Sequence, residues 1–439
     1  MASALLDVYV KDRLVGALGP TAGGAYAFNY LAGTPPEDLV SLTMPVRLES
    51  YTWRRGLPPF FLMNLPEGFQ KDLVRAKLGP HAEVTDPGLL ALTGNRTIGR
   101  VRVLPQGQPL THATDDLSLS SLLATSGSRE HLLRYLKAGI TDGVSGVMPK
   151  TLTEKTTAAL GEYILKTGPT SYPGLAVNEY LCLEVARRAG LTVPVAELSR
   201  DGQVLVVRRF DRPESGEWLA VEDFCALKGL DPASKYSGSL EDLAKLLLIY
   251  VRGERQGENA AKLYTLLLLN YAVRNADAHL KNFAVTYTSP QDVALAPVYD
   301  IVTVTAYPEH VDDIPGLTIA GKKVWPAGKL FRQYGAGRLS LTAALMNHCI
   351  EAVQTAITET APHVRELADA YPEFREIGKR MLTEWEQGAL DITPAVTAKS
   401  RAGQTLKQSV GLSDAGKPRK VKKKAVYRNP DGPLSHKSR

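Results

Sequence analysis

The chain has 439 residues, 44% of them hydrophobic, and a formal net charge of +6 at pH 7; that length allows roughly two to four domains, about three as the prior, with enough apolar material for a sizeable core. Cys182, Cys225 and Cys349 are too few and too widely spaced for a disulfide framework or a cysteine-rich zinc site, which fits a reducing cytoplasm. The longest apolar runs, such as Leu266 to Leu269, fall far short of a membrane span, and MASALLDVYVKDR lacks the regions of a secretory signal, so a cytoplasmic location without membrane contact is expected.

Taken in chain order, residues 5–18 alternate apolar and polar about Lys11-Asp12-Arg13, a hairpin signal, and Phe28 and Tyr30 continue the alternation. Pro58-Pro59 opens a helix expected from Phe60 to about Lys77, stopped by Gly79-Pro80. Ile98 to Leu104 reads as a strand before Pro105. This first stretch is a compact α/β module with no cluster of acids, bases or nucleophiles, and Trp53, Arg54 and Arg55 read as packing and surface residues.

From about residue 141 to 212 the pattern is a glycine loop, a strand, a second strand at Tyr163–Lys166, a helix at Ala176–Ala189 and two strands flanking Asp201-Gly202. Beyond Val221 it turns mostly helical, with apolar-periodic segments at Leu240–Arg252, Ala260–Arg274 and Leu341–Ala368. A small strand-rich lobe before a larger helical one is the order of a kinase-type phosphotransferase, although fold order alone does not fix function. The chain then changes character: residues 391–439 hold 12 Lys/Arg against 3 Asp/Glu, leaving the rest at −3. Poor in large apolar residues, this tail is expected to be disordered. Its run Lys417-Pro418-Arg419-Lys420-Val421-Lys422-Lys423-Lys424 fits a solvated solubility tail and a phosphate-contacting one equally well.

The residues with most chemistry are Asn275 to Asn282, followed by Tyr299-Asp300-Ile301. Protein kinases carry a catalytic Asp and, five residues on, an Asn that binds magnesium, which is the spacing of Asp277 and Asn282. Asp300 lies 18 residues further, across strand-like Phe283–Tyr287, where a second magnesium-binding Asp belongs. Such chemistry needs a carboxylate to take the acceptor's proton and hard oxygens to hold the metal across phosphates. Asp and Asn also cap helices and shape turns, and the pair alone does not separate the two readings.

Upstream, Gly143-Val144-Ser145-Gly146-Val147-Met148-Pro149-Lys150 is a short glycine-rich loop of the kind whose backbone N–H groups face phosphate, though an ordinary turn has the same composition. Lys166 closes an apolar strand, the placement of the kinase lysine that grips phosphates, and Glu179 in the next helix is its candidate partner or simply an N-terminal charge favoured by the helix dipole. Arg208, Arg209 and Phe210 follow the last strand of the lobe, where backbone groups of a hinge would meet adenine, while the arginines read equally as surface charges. His279 has no second His at ligand spacing, so a positioning role is expected of it; no G-x-S-x-G elbow is present.

In this order the motifs resemble the HipA family of serine/threonine-kinase toxins from bacterial type II toxin–antitoxin modules, over nearly the whole chain to about residue 385. Its first subdomain is matched by Val15-Gly16-Ala17-Leu18, Phe28-x-Tyr30, Ser41-Leu42-Thr43-Met44-Pro45 and Phe60-Phe61 through Asn64-Leu65-Pro66-Glu67-Gly68. Its core is matched by Ser145-Gly146-Val147-x-Pro149-Lys150, Asn178-Glu179-Tyr180, Arg209-Phe210-Asp211-Arg212, Glu222-Asp223-Phe224-Cys225, Lys235-Tyr236, Asp277-x-His279-x-Lys281-Asn282-Phe283 and Tyr299-Asp300-Ile301.

The resemblance implies an α+β, bilobal, protein-kinase-like fold: an N-terminal α/β subdomain (1–105), a strand-rich nucleotide lobe (106–220), a helical lobe (221–390) and the basic tail (391–439). It implies ATP and Mg2+, Asp277 as catalytic base, and Asn282 and Asp300 on the metal. Ser145, Gly146, Val147, Met148, Pro149, Lys150, Lys166, Arg208, Arg209, Phe210, His279, Lys281, Asn282, Tyr299 and Asp300 would then surround ATP, with Ser145 the autophosphorylation site. It further implies a HipB-like helix-turn-helix antitoxin, operator DNA through that complex, and a protein substrate such as an aminoacyl-tRNA synthetase. The chain departs from the family pattern at Gly143 (a serine in some members), at Met148 (often glutamine) and at Gly94-Asn95-Arg96-Thr97 (often Gly-Arg-Asp-Ser). Two other readings stand beside the kinase toxin: a kinase-like co-repressor on operator DNA and a small-molecule phosphotransferase on the same scaffold.

Overall fold

The structure is a computed structural model that describes residues 5–54, 56–66, 85–110, 118–141 and 156–393; the side chains of 137–141 and 156–160 are not described. The expected glycine loop at 143–150, Arg55, Glu67-Gly68, Gly79-Pro80 and the tail beyond 393 therefore lie outside the described residues.

The first module is a five-stranded antiparallel sheet of β1 (Leu6–Val10), β2 (Arg13–Pro20), β3 (Tyr26–Tyr30), β4 (Tyr51–Trp53) and β5 (Val101–Pro105), in the order β4-β3-β2-β1-β5. The expected hairpin turns at Lys11-Asp12, with Val10 opposite Arg13 and Lys11 at φ 56°. Alternation puts Leu6, Val8, Leu18 and Phe28 inward against Phe60, Phe61, Leu89 and Leu90, and the register shift opposite Val8 and Tyr9 brings Val15 to the same side. Two expectations need correction here. The helix begun at Pro59 ends at Met63, because Pro66 has no N–H to continue the ladder and pushes Leu65 away from helical geometry; the remainder of the expected span, 67–77, lies outside the described residues. The strand expected from Ile98 begins only at Val101, because Gly99 turns the chain at φ 92° and gives its N–H to Asp211 (2.8 Å).

The second sheet holds β6 (Thr156–Leu160), β7 (Tyr163–Thr167), β8 (Ala196–Leu198) and β9 (Val204–Arg208), antiparallel in the order β6-β7-β9-β8. Leu165, Val204 and Val206 point to one face and pack on Leu122, Leu132 and Leu136. These belong to helices Leu119–Ala124 and Ser128–Thr141, which the sequence reading did not place. The other face receives the helix Leu175–Arg188.

That helix shares one continuous core with the helical lobe, so the two lobes are not separately packed. At its centre Arg255–Ala272 buries Leu263 and Leu266 to Leu269, flanked by Leu240–Tyr250, Ala343–Ala370 and Arg375–Asp391. Ser239 begins the first of these with a capping box to Asp242. A small third sheet, β10 (Ala220–Asp223), β11 (Ala284–Tyr287) and β12 (Ala294–Leu295), lies between the lobes. Among the described residues no helix is long and apolar enough to cross a membrane.

The first module is fastened to both lobes through buried polar groups. Arg100, 1% exposed, donates to the carbonyls of Thr288 (2.6 Å) and Glu37 (2.8 Å). Glu222 on β10 accepts from Ser41 Oγ (2.6 Å), Leu42 N–H (2.7 Å) and Tyr287 O–H (2.5 Å). Burial pushes the Glu222 carboxyl up to about 7, against the opposing pull of those donors. Ala226 of the helical lobe sits inside the first module's core.

Candidate active site

A mostly apolar cavity opens where the second sheet, the helical lobe and the first module meet. Its wall includes Ile164, Lys166, Glu179, Val207, Phe210, Val298, Tyr299 and Asp300, together with Met63, Asn64 and Ile98 of the first module.

Strand alternation fixes Lys166. With Leu165 turned into the outer face, Ile164 and Lys166 turn to the cavity. The Lys166 ammonium bonds Glu179 Oε1 and lies 3.4 Å from Asp300 Oδ1. The three side chains are 10%, 1% and 8% exposed, so two buried carboxylates share one ammonium.

Asp300 sits at φ 58°, a left-handed conformation that Asp tolerates better than bulkier residues. Its Oδ2 accepts from Asn282 Nδ2 at 2.7 Å. The adjoining Tyr299 ring lies against Phe210 (centroids 5.9 Å apart) and donates its hydroxyl to the Lys281 carbonyl (2.8 Å). Burial drives the Tyr299 phenol well above its ordinary range, so it stays a donor. Lys281 in turn reaches the carbonyl of Met63 at 3.3 Å.

The Asp277 loop follows the central helix directly. After Ala272 the chain reverses at Arg274 (φ 57°), and Asn275 bonds back to Asn270 through both its N–H (2.8 Å) and its amide (2.7 Å). Asn275 Oδ1 then accepts the N–H of Asp277 (3.2 Å). The half-buried Asp277 carboxylate accepts from the Tyr236 hydroxyl at 2.5 Å. His279 is fully buried, its ring edge-on to that of Tyr236 at 5.0 Å, and its backbone N–H goes to Asn282 Oδ1 (3.1 Å). Gly316 closes over this loop, where a β-carbon would stand 2.8 Å from the carbonyl of Ala278.

The structure thus gathers Lys166, Phe210, Lys281, Tyr299 and Asp300 on the cavity wall, with Asn282 bonded to Asp300 behind it. Arg208 is also on the wall, its guanidinium held by Glu214 (2.5 Å). Arg209 is not: its guanidinium is committed to Asp211 (3.0 Å) and to the Thr97 carbonyl (3.0 Å), a tie to the first module. The backbone N–H groups of Arg208 and Arg209 bond the carbonyls of Val195 (2.8 Å) and Glu162 (2.7 Å). His279 and Asp277 also lie off the wall. Ser145, Gly146, Val147, Met148, Pro149 and Lys150 fall outside the described residues.

Sequence reasoning did not foresee Tyr236 on Asp277, nor the first module's share of the wall. The signals for both were present only as motif residues without a role, Lys235-Tyr236 and Asn64.

A strand-rich sheet over a helical lobe, with a buried lysine–glutamate pair and Asp300 on the wall of the cavity between them, is the architecture of an α+β protein of kinase-like fold. Residues 6–104 match the model of the HipA N-terminal domain, and residues 143–361 that of the HipA-like C-terminal domain. The chain belongs to the HipA family.

Among curated relatives, "Putative kinase Y4mE" of Sinorhizobium fredii is 29% identical over 338 residues, covering 70% of this chain and 79% of that protein. "Putative kinase Y4dM" of the same organism is 29% identical over 277 residues, 58% and 64% of the two chains. Among solved structures, the fold matches that of the Shewanella oneidensis MR-1 toxin–antitoxin system HipA, HipB and operator DNA complex, with TM-score 0.63 and 19% identity over 87% of this chain and 97% of that one.

Proposed function

We propose that the chain is an ATP- and magnesium-dependent serine/threonine protein kinase serving as the toxin of a type II toxin–antitoxin module. The observation that carries this reading is the buried set Lys166, Glu179, Asp300 and Asn282 at one apolar cavity, with Asp277 five residues before Asn282. The kinase names of the relatives point the same way.

In this reading adenine enters between the apolar side chains of Ile164, Val207 and Val298. Lys166, held by Glu179, binds phosphate oxygens as a fixed cation. The loop from Ser145 to Lys150 covers the phosphates. Asn282 and Asp300 fit magnesium, a hard cation that takes one or two carboxylates and completes its shell with phosphate oxygens. The Asp300 carboxylate beside Asn282 supports that fit; the Asn282 amide would have to turn its oxygen toward the ion. When bound, magnesium would neutralise phosphate charge. Asp277 orients the acceptor hydroxyl and takes its proton as that oxygen bonds the γ-phosphorus and the bond to ADP breaks. Ser145 is the acceptor in cis, and a translation protein such as an aminoacyl-tRNA synthetase the acceptor in trans. A HipB-like antitoxin and operator DNA are the proposed partners, by extension from the Shewanella complex.

The test is incubation of the full chain with labelled ATP and magnesium, with and without a cell extract, beside Asp277→Asn. Label on Ser145 or on an extract protein, lost in the variant by a factor of at least about 100, is expected. Full transfer by Asp277→Asn, or no ATP binding by the wild type, would overturn the reading.

A further inference from the structure

Tyr236 occupies a short stretch between the turn Pro232–Ser234 and the helix that starts at Leu240. Its place is not a chance surface rotamer. The Leu280 N–H bonds the Lys235 carbonyl (3.1 Å) and the Thr318 N–H bonds that of Gly238 (3.2 Å). Gly238 also lies so close to Leu280 that a β-carbon there would meet it at 2.7 Å. The backbone on both sides of Tyr236 is therefore pinned, and the buried His279 ring meets the phenol ring edge-on. From that mounting the phenol, on a residue 37% exposed, donates to Asp277 Oδ1.

A hydroxyl donating to this carboxylate is the bond that a serine or threonine acceptor must itself make. Resting on the kinase reading, we propose that Tyr236 is a stand-in acceptor: a positioning residue that keeps Asp277 bonded to a hydroxyl until a substrate side chain displaces the phenol. Two consequences follow from the geometry. Water, small and abundant, competes poorly for a carboxylate already holding a charge-assisted hydrogen bond, so ATP is not spent on hydrolysis. An acceptor has to bring binding contacts of its own to replace the phenol, which favours protein acceptors over free small alcohols.

The experiment measures phosphate release from ATP and magnesium, without protein acceptor, by the full chain, Tyr236→Phe, Asp277→Asn and the double variant. Loss of a hydrogen bond to a charged group predicts release about ten-fold faster in Tyr236→Phe. That gain falls in kcat with the KM for ATP unchanged, and it disappears in the double variant. Tyr236→Leu, which also lacks the hydroxyl, shows the same gain. Release within about two-fold of wild type in both single variants at Tyr236, or a gain that survives in the double variant, overturns the proposal. Phosphate found on Tyr236 itself also overturns it, since the phenol would then be an acceptor. Should Asp277→Asn match the wild type in release and in transfer, the kinase reading fails first and takes this proposal with it.

Discussion

Lys166 is where a single atom has most to hold. Its ammonium stands against two buried carboxylates, so removing it leaves both without their shared counter-charge. Lys166→Met is expected to lower stability by about 3 kcal/mol. Adding Glu179→Gln should recover part of that loss without restoring ATP affinity; urea unfolding and nucleotide titration measure the two separately. Glu222 predicts a pH dependence of opposite sense to that of a salt-bridged acid. Its folded value, about 7, lies above the ordinary 4.5, so between these limits the unfolded chain has lost a proton that the folded chain keeps. Stability contributed at this site therefore falls as pH rises through that window, by at most about 3 kcal/mol. In Glu222→Gln the decline between those values should flatten; an unaltered pH profile of unfolding would show that the donors, not burial, govern this carboxyl.

At the level of elements, much was legible because it is periodic. The Lys11-Asp12 hairpin, the strands about Asp201-Gly202 and the helices at Leu240–Tyr250 and Leu175–Arg188 all follow the spacing of their apolar residues. Lys166 with Glu179, and Asn282 with Asp300, also lie within bonding reach of one another. What failed was punctuation: Pro66 inside an apolar run, and Gly99 at the start of one. What stayed hidden were pairs with no local pattern, such as Ser41 with Glu222, 181 residues apart, or Tyr236 with Asp277. Neither partner is unusual until the fold puts them together. Gly316 is another such case, since only the folded chain shows it against the Asp277 loop. Gly316→Ala forces that contact apart, and phosphoryl transfer is expected to drop about ten-fold while ATP affinity holds. Equal transfer rates would mean that the loop absorbs the methyl group without moving Asp277.

For the whole molecule, the first hundred residues are a wall of the cavity as much as a module of their own. Met63, Asn64 and Ile98 face it, and Arg100, Asp211 and Glu222 hold the seam shut. The far end of the chain is a separate matter of charge: removing residues 394–439 takes away 12 Lys/Arg and 2 Asp/Glu. If the proposed co-repressor role holds, this truncation weakens DNA association of the chain with a HipB-like antitoxin and flattens the dependence on salt. Fluorescence anisotropy over a salt series measures the slope, and an unchanged slope would free the tail from any part in DNA contact.

The shared wall has a further consequence, in the currency of linkage. A molecule seated in the cavity touches the first module and the lobes at once, so it binds the docked arrangement in preference to any in which the module has swung away. Its presence at about 100 times its dissociation constant would strengthen docking by about 2.7 kcal/mol. The relation is reciprocal: a protein that grips the outer face of the module and loosens the seam at Glu222 must weaken binding in the cavity by the same factor, without entering it.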